Sequence, residues 1–352
     1  MLRTASVASI AVAALLLSAI AWPDQVSTHW SSCRNREFQS WFPDAEPPER
    51  LQCTYVDVPL APAAGRAGQA RVVPVKLAVT KLPALGERRG SVLFISGGPG
   101  SPGIHPFLDY DGTAKAITQH YDIVGYDARG VGQSQPGIRC SDEASAISMG
   151  PWWQPWWNPT SSTELAEAKS FVESCIEHTG AAFLRHVGTN AAVRDVESLR
   201  QALGEAHLNV VAYSYGTKVA ALYAGAFPSH VRAMVLDGVV DLSEDDASMR
   251  INQARAMQRA FGRFAAYCAK QSRCPFGDRP DDAVPRYHAL LREFENNQSR
   301  DGRTEFVPSE ALMAAIVGAL FWPEQWAALI EALTGVQDGR PEQLQTLIAS
   351  ST

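Results

Sequence analysis

Apolar positions along this chain recur with two different periods, and the change from one to the other divides it. Leu51-Gln52-Cys53-Thr54-Tyr55-Val56-Asp57-Val58 alternates as a strand with one buried face must, and a Gly/Ala/Pro-rich turn over 61–70 leads to a second strand over 71–80. Pro74 falls inside that second run. Proline cannot donate to a sheet ladder, so its presence predicts an edge strand or a bulge. Short runs at 91–95, 121–126, 208–212 and 231–236 are almost continuously apolar, the pattern of strands buried on both faces. Val193, Val196, Leu199 and Leu203 share one face of a helix over 190–203, and a further helix is expected over 217–226. Strands alternating with helices predict an α/β fold, a mostly parallel sheet with helices on both faces.

Beyond Asp241 the strand signals nearly vanish, apart from a possible short strand at 304–307. The segments 243–270, 282–297, 309–321, 323–333 and 341–348 all read as helices. The expected organisation is therefore a core over 22–240 followed by a helical cap over 241–352. No repeat at domain scale interrupts it.

Composition sharpens this picture at three points. With 46% hydrophobic and 19% charged residues, the 352-residue chain suits a globular enzyme rather than a disordered one. Its net charge of −6 is spread along the chain with no basic run, which argues against a nucleic-acid partner. At the N-terminus, Arg3, an apolar stretch from Val7 to Ile20 and Ala19-Ile20-Ala21 form the three parts of a signal peptide over 1–21. A retained anchor is the rival reading, but a spanning helix needs about 20 apolar residues, more than this stretch supplies. The chain is thus expected to be exported, secreted or periplasmic, with no stable membrane span after cleavage.

Export gives the six cysteines a meaning, since an even number in an oxidising compartment suggests disulfides. Sequence proximity favours Cys33–Cys53, Cys140–Cys175 and Cys268–Cys274. None forms a C-x-x-C pair and no histidine stands near them at zinc-finger spacing, so no metal site is expected. No motif calls for a cofactor.

The strongest chemical signal is Ala212-Tyr213-Ser214-Tyr215-Gly216, placed between an expected strand and an expected helix. A nucleophile elbow needs this layout: a sharp turn lifts the serine hydroxyl above the sheet, and small residues two positions away on either side relieve crowding. Alanine stands where the strict motif has its first glycine. A helix N-terminus behind the serine favours developing negative charge. The second signal is Ser96-Gly97-Gly98-Pro99-Gly100, after the run at 91–95. Taken alone it reads equally as a tight turn, but beside Ser214 it reads as half of an oxyanion hole. The two donors are assigned to the N–H groups of Gly98 and Tyr215. Pro99 has no N–H, and Gly97 is the fallback. The third signal, Asp127-x-Arg129-Gly130-x-Gly132-x-Ser134, offers no nucleophile, and its charged pair is expected to lock the loop after the run at 121–126.

Gly-Gly-Pro-Gly after one strand and Asp-x-Arg-Gly-x-Gly-x-Ser after the next resemble the proline iminopeptidase family of α/β-hydrolases. The likeness is closest to its exported, tripeptidyl aminopeptidase-like branch. Trp30-Ser31-Ser32-Cys33, Arg139-Cys140, the helix over 190–204, Tyr213-Ser214-Tyr215-Gly216-Thr217 and Val235-Leu236-Asp237-Gly238-Val239-Val240-Asp241 extend the resemblance from about Trp30 to Asp241. It implies an α/β-hydrolase fold with a helical cap insertion. It further implies acyl transfer through an ester on Ser214, releasing residues or short peptides from the free N-terminus of a peptide substrate.

In this fold the triad follows the chain order Ser, then Asp or Glu, then His. Only His230 and His288 follow Ser214. His230 enters the run at 231–236 from the end opposite the active site, which gives it a surface or packing role. His288 lies within a cap helix and is a poor candidate for the base. Asp237 ends that run and is read as a loop-stabilising residue, with a part as triad acid the lesser alternative. No further strand is visible before Thr352. The last core strands, and the triad Asp and His with them, are therefore expected to be missing, leaving an unpaired sheet edge and an underpowered nucleophile. The tryptophan-rich segment 151–159 is either a substrate-facing wall or, more blandly, packing against the cap. A carboxylesterase or lipase, and a non-catalytic relic of the fold, remain the alternatives to a peptidase.

Overall fold

β-branched and aromatic residues set the strands of a single sheet. The computed structural model describes residues 28–43, 46–61, 74–104, 113–141, 162–301, 309–338, 340 and 342–349. The expected signal peptide, the tryptophan-rich segment at 151–159 and the possible strand at 304–307 lie outside them. The chain divides into two units, 1–147 with 169–240 and 148–168 with 241–352.

The first unit holds the sheet. Its strands are β1 (Ser31–Ser32), β2 (Gln52–Pro59), β3 (Pro74–Leu82), β4 (Ser91–Ile95), β5 (Asp122–Tyr126), β6 (Leu208–Tyr213) and β7 (Val231–Asp237). They run in the order β1-β2-β3-β5-β4-β6-β7. β1, β2 and β3 join antiparallel, and β3 meets β5 antiparallel. β5, β4, β6 and β7 are mutually parallel. β3 is an interior strand, contrary to the expectation from Pro74. That proline is its first residue, facing Pro59 across the ladder, so no interior hydrogen bond is asked of it.

Helices cover both faces, and the sequence of the sheet explains why. β4 and β5 are buried at every residue, which requires cover above and below. On one face α4 (Thr189–Ala202) and α5 (Tyr215–Ala226) pack Val193, Val196, Leu199, Val219 and Tyr223 onto Leu93, Val124 and Val210. Each such aliphatic side chain contributes roughly 1.5–3 kcal/mol on full burial. On the other face Phe38, Trp41, Ile104 and Ile117 pack on Phe94 and Ile123. Ile117 ends the short helix α1 (Thr113–Ile117), while Phe38 and Trp41 come from a 3-10 turn at Arg36–Trp41. Disulfides join Cys33 to Cys53 and Cys140 to Cys175. The second bridge fastens α2 (Ser162–Thr179), which leads into α3 (Ala181–Leu184).

The chain leaves β4 for β5 on one side and returns to β6 on the other. The carboxyl ends of β4 and β6 therefore flank the point where strand order reverses, the usual place for a ligand in an open α/β sheet. The loop starting at Ser96 and the residue Ser214 follow those two ends.

The second unit is helical in its described residues: α6 (Asp246–Cys268), α7 (Ala283–Asp301), α8 (Ser309–Leu320), α9 (Trp326–Gln337) and α10 (Glu342–Ala349). It has its own core, in which Phe264, Phe276, Leu312, Ile316, Leu329 and Leu333 are buried together. Cys268–Cys274 closes the turn after α6. Among the described residues, no helix is long and apolar enough to cross a membrane.

Candidate active site

Ser214 sits between the last residue of β6 and the first of α5, with φ 49° and ψ −122°. It is the sole non-glycine at positive φ among the described residues. A side chain at positive φ crowds its own backbone and costs about 1–3 kcal/mol, so surrounding contacts must hold it there. They do so from both sides. The Ser214 amide donates to the Asp237 carbonyl at 2.8 Å, while the Thr217 amide and hydroxyl donate to the Ser214 carbonyl at 2.9 and 2.6 Å. The Thr217 hydroxyl in turn accepts the Val240 amide at 2.9 Å.

The small residues flanking the serine are needed for packing. Ala212 is fully buried. A Cβ on Gly216 would lie 2.6 Å from the Ser96 carbonyl oxygen and closer still to that of Ile95, so only glycine lets α5 start this near β4.

The loop after β4 lies against the serine. A Cβ on Gly97 would be 3.0 Å from the Ser214 Cβ and 3.6 Å from its Oγ. Gly98 follows at φ 104°, where a Cβ would meet the Gly100 amide nitrogen at 2.7 Å. Gly97 is thus the glycine in close approach to Ser214, and Gly98 the one that turns the chain. Tyr215 opens α5, where the first amides of a helix have no partner within it. Their dipoles favour negative charge at this end. Tyr213 is exposed and stacks on Phe94, with ring centroids 6.4 Å apart. The partial cover of its ring, and then the nearby Asp237 carboxylate, push its phenol up.

The Asp127 and Arg129 side chains, expected to act as a charged pair, each take other partners. Asp127 accepts the amides of Gly103 at 2.6 Å, Ile104 at 3.2 Å and Gln133 at 2.7 Å. Ser134 donates its hydroxyl to the Asp127 carbonyl at 2.7 Å and accepts the Ala78 amide at 2.9 Å. Arg129 forks onto Asp195 of α4 at 2.7 and 2.5 Å and donates to the carbonyls of Pro59, Leu60 and His186. The motif holds the loop after β5 by gripping backbone groups and α4.

The histidines after Ser214 fall elsewhere. His230 precedes β7, at the end of the sheet away from Ser214, where it stacks on Phe227 and shares a 3.1 Å hydrogen bond with Glu197. His288 belongs to α7 in the second unit and packs against the Tyr287 ring. Among the described residues, no histidine is hydrogen-bonded to the Ser214 hydroxyl, and no cluster of histidine, cysteine or acidic residues suits a metal ion. Asp237 meets Ser214 through its main chain.

Sequence reasoning passed over Asp195 and Thr217. Asp195 did leave a signal. It stands four residues from both Ala191 and Leu199 on the buried stripe of α4, and an acid at such a position needs a cation.

Ser214 thus stands on a strained strand-to-helix turn at the switch point of the sheet, against the loop at Gly97. The chain belongs to the α/β-hydrolase family, whose model matches residues 90–339. It is 37% identical over 280 residues to serine protease Hip1 of Mycobacterium tuberculosis, covering 77% of this chain and 54% of that protein. It is 32% identical to carboxylesterase B of the same species over 318 residues, 88% of this chain and 58% of that one. Tripeptidyl aminopeptidase of Streptomyces lividans is 36% identical over 214 residues, 56% of this chain and 37% of that protein. The chain spans between 37% and 63% of the length of such curated relatives.

Proposed function

We propose that this chain carries the nucleophile of a serine hydrolase that cleaves peptides near a free N-terminus, through an acyl-enzyme on Ser214. The observation that carries the proposal is the conformation of Ser214. Its positive φ at the junction of β6 and α5, against Gly97, is what a nucleophile elbow requires.

In this reading Ser214 Oγ attacks the acyl carbon, its proton passes to a general base, and the carbonyl oxygen becomes an oxyanion. The N–H groups of Tyr215 and Gly98 are the donors assigned to that oxyanion, with Gly97 the alternative on its close approach to the serine. Preorganised amides of this kind are worth about 2.7–4 kcal/mol each in transition-state stabilisation. The general base is the open position of the proposed triad. Three disulfides support an oxidising, exported setting.

The names of two relatives, a serine protease and a tripeptidyl aminopeptidase, favour a peptide substrate. A relative named as a carboxylesterase favours ester hydrolysis as the second reading. The experiment compares an unblocked tripeptidyl p-nitroanilide, the same peptide with its amine acetylated, and a p-nitrophenyl ester. Peptidase action requires turnover of the free-amine anilide, with little on the blocked one. Turnover of the ester alone selects the esterase. Failure of a fluorophosphonate to label Ser214 removes both.

A further inference from the structure

The residue after Ser214 carries a tether that the elbow itself does not require. The Tyr215 phenol reaches Thr189, the first residue of α4, with their hydroxyl oxygens 2.8 Å apart. α4 in turn is anchored by Arg129, whose guanidinium holds Asp195 within the helix and the carbonyl of His186 just before it. Arg129 and Asp195 are almost wholly buried. A rigid line therefore runs from the loop after β5, through α4, to the side chain of Tyr215.

The peptide unit that contains the Tyr215 N–H is set by ψ of Ser214 and φ of Tyr215. Ser214 lies outside the ordinary backbone wells, so rotation of this unit toward a relaxed geometry is downhill unless something opposes it. The Ser214 carbonyl belongs to this same unit, and the Thr217 amide and hydroxyl hold the unit at that end. The phenol tether acts on the far side of the unit, on Tyr215.

We propose that the Thr189–Tyr215 hydroxyl pair is a positioning device that aims the Tyr215 amide at the oxyanion site. Thr189 and the Tyr215 phenol are positioning groups here, since neither touches the reacting atoms. The inference rests on the reading of Ser214 as nucleophile and of the Tyr215 amide as oxyanion donor.

The test measures covalent labelling of Ser214 in the full chain by a fluorophosphonate, as a maximal rate and a half-saturating concentration. Thr189→Val and Tyr215→Phe are each expected to lower the maximal rate about tenfold, the scale of one hydrogen bond, while moving half-saturation less than about twofold. Thr189→Ser keeps the hydroxyl and should restore the rate. The double variant Thr189→Val/Tyr215→Phe should be no slower than either single one, because both remove the same bond. Thermal unfolding midpoints identify any variant that fails to fold, and since the two residues lie on different helices, the other then carries the test. A labelled parent whose variants react at its rate, or whose variants change only half-saturation, overturns the positioning role and leaves the nucleophile standing. A parent that does not label overturns the nucleophile itself.

Discussion

Ser214 and Asp237 are joined main chain to main chain, the amide of the first donating to the carbonyl of the second at 2.8 Å. The bond ties the turn after β6 to the last residue of β7, which forms the edge of the sheet among the described residues. With Thr217 holding the Ser214 carbonyl, both polar backbone groups of the strained residue are engaged. The strained conformation is therefore held by the fold rather than by the serine hydroxyl, and it should persist when that hydroxyl alone is removed.

This separates two substitutions that both delete the hydroxyl. Ser214→Ala keeps a Cβ at positive φ and keeps the strain. Ser214→Gly relieves it, at a cost of about 0.4–1 kcal/mol in the added freedom of the unfolded chain. Since the strain is worth about 1–3 kcal/mol, the glycine variant should be the more stable by about 1 kcal/mol in urea unfolding. Neither should react with a fluorophosphonate. An alanine variant as stable as the glycine one would mean that the backbone relaxes and the elbow is not strained.

The two glycines of α5 make a second contrast. Gly216→Ala places a methyl group against the backbone carbonyls of Ile95, the last residue of the central strand β4, and of Ser96, the first residue of the loop that follows it. The expected loss is about 1–3 kcal/mol or more, with labelling of Ser214 impaired because α5 and the elbow must shift. Gly225 is exposed near the other end of the same helix, where an added methyl group would have nothing within 4 Å. Gly225→Ala should stabilise by about 0.5–1 kcal/mol through helix propensity and leave labelling unchanged. Equal effects at the two sites in denaturant titrations would refute the close packing of α5 on β4.

These contrasts show where the sequence was informative. The nearly continuous apolar runs at 91–95 and 208–212 became strands β4 and β6 with nearly the same limits, because burial on both faces leaves little choice of residue. The run at 231–236 became β7, although its residues are half-buried or exposed. The layout around Ser214 was legible for the same reason, since the small residues at 212 and 216 record steric limits. The error at Pro74 arose because a strand's first residue and its interior look alike without a known boundary. α2, with few large apolar residues on any face, lacked the stripe that disclosed α4. What α4 concealed was tertiary: Asp195 answers Arg129, 66 residues away, and Thr189 answers Tyr215, 26 residues away. No local pattern announces such pairs.

The last contrast concerns pH and lies at the other end of the sheet from Ser214. Glu197 of α4 is nearly buried, yet it accepts hydrogen bonds from Arg200, Gln201 and the Tyr223 hydroxyl and is bonded to His230. Burial alone would raise its carboxyl. The hydrogen bonds from Arg200, Gln201 and Tyr223, with the Arg200 charge, outweigh burial and hold it at about 2, against an ordinary 4.5. A carboxyl depressed by folding favours the folded state above its unfolded value, and that contribution is lost as pH falls toward the folded one. Glu197→Gln removes the charge and with it this dependence. The variant should be less stable than the parent at neutral pH, by an amount that stays level down to about 4.5, shrinks between there and about 2, and is smallest below it. Unfolding midpoints for both proteins across that range provide the measurement. A stability gap that stays constant down to the acid limit would show that Glu197 acts here by shape and not by charge.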